Sequence, residues 1–139
     1  MVILSVDYGK ARTGIAVCDK GERIASPVGT INEYNMEKLA EKIAVYTENY
    51  KAELIVLGLP KNMDGSEGES AENVRNFSKL LETVTGLPVE LRDERCTTVI
   101  AHKYLNVTDT RGKKRKNVVD TVSAVIILED YLSYRRNRK

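Results

Sequence analysis

Residues 53 to 60, ELIVLGLP, form a nearly uninterrupted apolar run of strand length. A strand with one wet face alternates apolar and polar residues, so a run without alternation suits a central strand covered on both faces. Such a strand needs a helical crossover to reach a parallel neighbour. The preceding residues supply one. From Met36, the residues Met36, Leu39, Ala40, Ile43 and Tyr46 or Tyr50 recur at helical spacing, with Glu37, Lys38, Glu41, Lys42 and Glu48 between them and Asn35 as N-cap. The expected class is therefore α/β.

Ahead of this helix, three short segments read as strands: VILSVD at the start, RTGIAVC at 12 to 18 and RIASPVGTI at 23 to 31. Their tight links imply an antiparallel meander, with Gly21 supplying the permissive backbone of the DKGE turn. Pro27 cannot donate a ladder hydrogen bond, which puts the third strand at a sheet edge or gives it a bulge. Beyond ELIVLGLP lies a polar loop, KNMDGSEGE, and Ser70 is read as the cap of a second helix. Val74, Phe77, Leu81 and Val84 are its expected buried stripe, and Gly86 with Pro88 ends it. PVELRD at 88 to 93 gives a fifth strand. A short helix capped by Thr97 or Thr98 and running through Leu105 follows, then a polar loop at 106 to 117, then a buried helix from about Val118 to Tyr134. The sum is a five-stranded mixed sheet, three strands antiparallel and two reached by parallel crossovers, flanked by helices. At 139 residues the chain is expected to be one domain. No apolar run approaches the ~20 residues of a membrane span, and the start lacks the pattern of a signal peptide, so a cytoplasmic protein is expected. Cys18 and Cys96 lack metal-site spacing and read as structural thiols.

Three acidic positions are attached to otherwise apolar structure: Asp7, the Asp93/Glu94 pair and Asp120. Each alone has an ordinary reading, Asp7 as a turn starter and the others as paired structural groups. Gathered at one end of a sheet they would repel one another unless a cation neutralised them, and oxygen-only ligands favour Mg²⁺ or Mn²⁺. Two such ions, roughly 4 Å apart, can drive phosphodiester hydrolysis. Neighbouring strand residues point to opposite sides, so only one of Asp93 and Glu94 is expected to face the site, with Glu94 preferred. The charge pattern supports a polyanionic substrate. Residues 111 to 139 carry nine Lys or Arg against three Asp or Glu, a balance of +6, while residues 1 to 110 carry 13 against 17, a balance of −4. The run Lys113, Lys114, Arg115 and Lys116 is the expected grip on a phosphate backbone. A solvated loop is its plainer reading, and Lys61 in the KNMDGSEGE loop is a weaker candidate contact.

Four blocks, VDYGKARTGIAV, VLGLPKNMDGSEG, LRDERCTTVIA and KNVVDTVSAVIILEDYL, occur in order along almost the whole chain. In this the sequence resembles the YqgF/RuvX family, Holliday-junction-resolvase-like nucleases of ribonuclease-H-like fold, some of which are implicated in trimming the precursor of small-subunit ribosomal RNA. The resemblance implies that Asp7, the acid of DER at 93 to 95, and Asp120 hold the metal. It also implies that Arg12 and Arg95 lie near the scissile phosphate, where a guanidinium can pair bidentately with its oxygens. Structured RNA or branched DNA is the implied partner, and paired cuts in a junction would suit a two-fold homodimer. Two other readings compete. An ATPase-like domain of the actin and sugar-kinase kind also carries an Asp and glycines at its first turn, but that architecture needs two such domains. A noncatalytic nucleic-acid-binding or ribosome-assembly module would keep the fold without turnover.

Overall fold

A computed structural model describes residues 1–60, 66–93 and 112–137, the side chains of the last segment from residue 121 onward. The chain runs β1 (Ile3–Asp7), β2 (Arg12–Cys18), β3 (Ala25–Asn32), α1 (Met36–Tyr50), β4 (Leu54–Leu59), α2 (Glu69–Thr85), β5 (Val89–Asp93) and α3 (Gly112–Asn137). The five strands form one sheet in the order β3-β2-β1-β4-β5. The first three are antiparallel, and β4 and β5 run parallel to β1, as the sequence implies.

The pleat sorts the apolar residues into two layers. Leu4, Val6, Ile15, Val17, Ile55, Leu57 and Leu59 pack with α1 and α2, whereas Ile3, Ala16, Cys18, Leu54 and Val56 pack with α3. The six residues of β4 are all buried, which explains why that segment shows no alternation in sequence. Asn35 caps α1 by accepting the Lys38 N–H at 2.9 Å. Of the two tyrosine alternatives, Tyr46 packs partly buried against the core and Tyr50 is exposed, and Thr47 is buried as well.

Several local expectations shift. The cap of α2 is Gly68, with no side-chain hydrogen bond, and Ser70 falls inside the helix; Glu69 and Glu72 instead face the positive end of its dipole. Val84 is exposed and Ala71 takes the fourth buried position of the stripe. The third strand begins at Ala25, because Asp19 Oδ1 accepts the N–H groups of both Arg23 and Ile24 and prolongs the turn. The left-handed residue of that turn is Glu22 (φ 56°), not Gly21. The polar loop expected at 106 to 117 is helical from Gly112, since Lys and Arg are good helix formers and nothing after Gly112 breaks the period. The short helix expected from Thr97 or Thr98 lies outside the described residues. Pro27 meets both of its alternatives: β3 is an edge strand, and its register with β2 slips between Ile15↔Gly29 and Ala16↔Pro27, leaving Val28 as a bulge.

Two polar ties seat α3. The Ser5 hydroxyl donates to the Ala124 carbonyl at 2.7 Å, a buried bond spanning 119 residues of sequence, and the Thr30 and Thr121 hydroxyls lie 2.9 Å apart. At the other end of the helix, Arg135 donates to both Glu22 oxygens, at 2.6 and 3.1 Å, and the Met1 ammonium donates to Glu22 Oε2 at 2.9 Å. These bonds offset the cost of a left-handed glutamate. They also hold the Glu22 carboxyl below its ordinary value, the Arg135 hydrogen bond being the main cause. The stabilisation is complete above the unfolded-state value near 4.5 and is lost as pH falls through the lower folded value. In urea unfolding measured across the acid range, Glu22→Gln is expected to be less stable than wild type at neutral pH, with the gap closing as the pH drops below that range.

Candidate functional site

Asp7 is the last residue of β1 and is half-buried. It stands in register with Gly14 of β2, and Gly14 with Thr30 of β3. On the other side, Val6 pairs with Leu57, so the next position of β4 beside Asp7 is Gly58, which pairs in turn with Arg92. Asp7 thus has a glycine in register on each side. Neither of these flanking positions carries a Cβ.

The face on which this row lies follows from the alternation. Ile3 and Ser5 face α3, Ile3 by packing and Ser5 by its bond to Ala124, and Asp7 has their parity. Thr30 also faces α3 through Thr121. Arg12 opens β2, opposite Asn32, and shares the parity of Gly14, Ala16 and Cys18. The structure therefore brings Asp7 and Arg12 to one face and one end of the sheet, beneath the N-terminal half of α3. Residue 120 belongs to that helix, one turn before Ala124 and next to Thr121.

β5 divides its residues in the same way. Val89 and Leu91 pack toward α1 and α2, while Glu90 accepts a hydrogen bond from the Tyr131 hydroxyl and Arg92 pairs with Asp130 at 2.6 Å, its guanidinium 4.5 Å from the Tyr134 ring centre. Asp93, exposed at the strand's end, has the parity of Leu91 and so belongs to the face away from α3. Glu94, Arg95 and Lys61 lie outside the described residues. Lys113, Lys114, Arg115 and Lys116 occupy the first turns of α3, which has no acidic residue there. Cationic side chains at the positive end of a helix dipole disfavour an isolated helix and make that end attractive to anions. Among the described residues no three potential metal-ligating side chains converge. The donor available there, the Asp7 carboxylate, is a hard oxygen ligand of the kind Mg²⁺ and Mn²⁺ take.

The turn that follows Asp7 is close-packed. Tyr8 stacks on Phe77 of α2 with ring centres 4.6 Å apart, and burial pushes its phenol pKa up. Thr13, fully buried, has its hydroxyl 3.4 Å from both the Gly9 nitrogen and the Gly9 carbonyl oxygen. Sequence reasoning missed Gly58 as the spacer beside Asp7 and Arg92 as a residue committed to α3. The glycine inside an otherwise large-residue apolar run was the available signal for the first; nothing local marked the second.

A parallel and antiparallel sheet in this order, with helices on both faces and an acid at the end of the central strand, defines a ribonuclease-H-like fold. Solved structures that share it include Thermus thermophilus RuvC in complex with a Holliday junction substrate (TM-score 0.62, 11% identity, 99% of this chain and 97% of that one) and the fowlpox virus Holliday junction resolvase (TM-score 0.56, 14% identity, 96% and 99%). The family model described as RuvX, Holliday junction resolvase, matches residues 1–134, and the chain belongs to that family. Among curated relatives, proteins named "Putative pre-16S rRNA nuclease" from Clostridium botulinum (strain Eklund 17B / Type B) and Halothermothrix orenii are 43% and 42% identical. The alignments cover 95% and 97% of this chain and 96% of each relative.

Gly9 sets a limit on this turn, because a Cβ there would lie 2.3 Å from the Arg12 carbonyl oxygen, which is backbone and cannot rotate away. Gly9→Ala is expected to lower stability by roughly 1–3 kcal/mol, the range for overpacking, and to shift the amide resonances of Asp7 and Arg12; chemical denaturation and NMR of the variant check both.

Proposed function

We propose that this protein is a divalent-metal-dependent nuclease that hydrolyses phosphodiester bonds of structured nucleic acid at the Asp7 end of its sheet. The observation that carries the proposal is the half-buried Asp7 at the end of the central strand, flanked in register by two glycines and lying on the face covered by the helix that contains Asp120. Asp7, Glu94 and Asp120 are the proposed ligands of one or two Mg²⁺ or Mn²⁺ ions. Asp93 has the parity of Leu91 and so belongs to the face away from α3, which leaves Glu94 as the preferred acid of that pair. Ions held there would activate water and stabilise the leaving oxygen.

The chain's own groups would do the rest. Arg12, on the rim of the same face, would pair with the non-bridging oxygens of the scissile phosphate, with Arg95 as a second guanidinium. Lys113 to Lys116, at the start of α3, would hold the flanking backbone, and Lys61, which follows β4 in sequence, would touch it as well. The relatives' names favour the precursor of 16S ribosomal RNA as substrate, and the family's description keeps branched DNA as a second reading. A single domain acting in the cytoplasm suits the first, and a two-fold dimer would suit paired cuts in the second.

With Mn²⁺ or Mg²⁺, the purified protein is expected to cleave precursor ribosomal RNA in preference to junction DNA. Asp7→Asn and Asp120→Asn should abolish cleavage while leaving nucleic-acid affinity within a few-fold of wild type. Equal cleavage by wild type and both variants would mean a contaminating nuclease, and binding without metal-dependent cleavage would leave a noncatalytic module. Reversing the charges of Lys113 to Lys116 should weaken binding and flatten its dependence on salt, by about 0.9 in log–log slope for each phosphate that is no longer neutralised. An unchanged slope would remove that segment from the interface.

A further inference from the structure

The basic C-terminal segment divides between two ends of α3, and only the first of them lies by the acid end of the sheet. Arg135 and Arg136 sit in the last turn, beside the hairpin that joins β2 to β3, at the opposite end of the strands from Asp7. Two adjoining clefts open there. One of about 430 Å³ is lined by Gly21, Glu22, Arg23, Arg135 and Arg136; the other, about 500 Å³, shares Arg23 and Arg136 and adds Ile24, Leu132 and Glu129 among its walls.

The charge of these walls is not self-compensated. Glu22 is taken up by Arg135 and the Met1 ammonium. Among the described residues, Arg23 and Arg136 make no ion pair and no side-chain hydrogen bond, so two guanidiniums line one cleft with only Glu129 to oppose them. Like charges held together on a concave wall repel, and an anion seated between them relieves the repulsion. Guanidinium forks suit the oxygens of a phosphate. Ile24, 65% exposed, puts apolar surface at the edge of the same cleft, where the face of a sugar or base can rest.

We infer that Arg23 and Arg136 form a second phosphate-binding cleft that grips the backbone of a nucleic-acid arm extending from the cleavage site. The inference rests on the nuclease reading above and adds to it a dependence on substrate length. Thr121 is tied to the strand row of Asp7, and Arg136 is 15 residues further along α3, or roughly 22 Å at 1.5 Å per residue. Duplex DNA presents a phosphate about every 3.4 Å along each strand, so about six or seven phosphates, and somewhat more in the shorter-rise A-form RNA helix, separate the Asp7 row from the second cleft. A shorter arm would reach only one of them.

The test compares full-chain wild type with Arg23→Ala/Arg136→Ala and with the charge-keeping Arg23→Lys/Arg136→Lys, on RNA duplexes of about 6 and about 16 base pairs across a salt series. Wild type is expected to bind the long duplex more tightly. The alanine pair should lose about tenfold in affinity for the long duplex, with a salt slope lower by roughly 2 and little change on the short one, and the lysine pair should keep the slope. Equal losses on both duplexes, or none on either, would overturn the second cleft. Wild type that binds both lengths equally would overturn the cleft alone, whereas wild type that binds neither would overturn the proposed function with it. Vesicles of phosphatidylserine and phosphatidylcholine form a separate arm: if the alanine pair loses vesicle binding but keeps its RNA affinity, the cleft belongs to a lipid surface and the inference fails.

Discussion

Strand β1 is hydrogen-bonded on both sides, antiparallel to β2 and parallel to β4, and both of its faces are covered. Every other part of the molecule takes its position from that strand. The parallel contact demands the α1 crossover, the alternation of Leu4 and Val6 against Ile3 and Ser5 separates the two apolar layers, and the Ser5 hydroxyl fixes one turn of α3. A strand so enclosed has only its end open to water. Asp7 stands at that end, and the surrounding apolar structure makes a carboxylate there costly unless it is partnered or solvated. The same constraint that stabilises the sheet therefore decides where polar chemistry can occur.

Sequence patterns revealed the order of elements because their signals are local: short strand-length segments with tight links for the meander, a period of 3.6 for α1 and α2, and an unbroken run for β4. Where the sequence reading slipped, tertiary partners had overruled local preference. Glu22 adopts a conformation that Gly21 should have supplied because Arg135 and the N-terminus hold it there, more than a hundred residues away in the first case. Ser70 is an acceptable cap in isolation, yet the helix starts at Glu69, and burying Ala71 sets its rotation. The basic run at 113 to 116 looked like a loop because charge density resembles solvation, whereas its residue types favour a helix equally well. For the candidate site, Asp7 stood out in the sequence as an acid at a strand end, while Arg12 was singled out only through the family resemblance. The glycine beside Asp7 on β4 and the separation of Asp93 from the α3 face needed the register, which no single segment encodes.

The distribution of charge also gains meaning from the fold. A formal charge of +2 describes the chain poorly when α3 carries basic residues at both ends and mostly apolar residues between them. One helix thereby carries two stretches of basic residues at fixed spacing. Rigid spacing matters for a polyanion, because its own charges repeat at fixed intervals and two grips act together only when the intervals match.

The outer edge of β3 has a further consequence. An open strand edge is ordinarily a template on which another chain can build, and a row of exposed amide and carbonyl groups is what makes it one. Here Pro27 removes a donor, Val28 bulges out of register and Gly29 has a φ of 153° that ordinary side chains rarely adopt, three interruptions within three residues. The edge is thus proofed against copying. Crowded beside other unfolded or nascent chains, the sheet would end where its third strand ends, and an assembly built against this side of the protein would have to be made through side chains instead of through a shared ladder of backbone bonds.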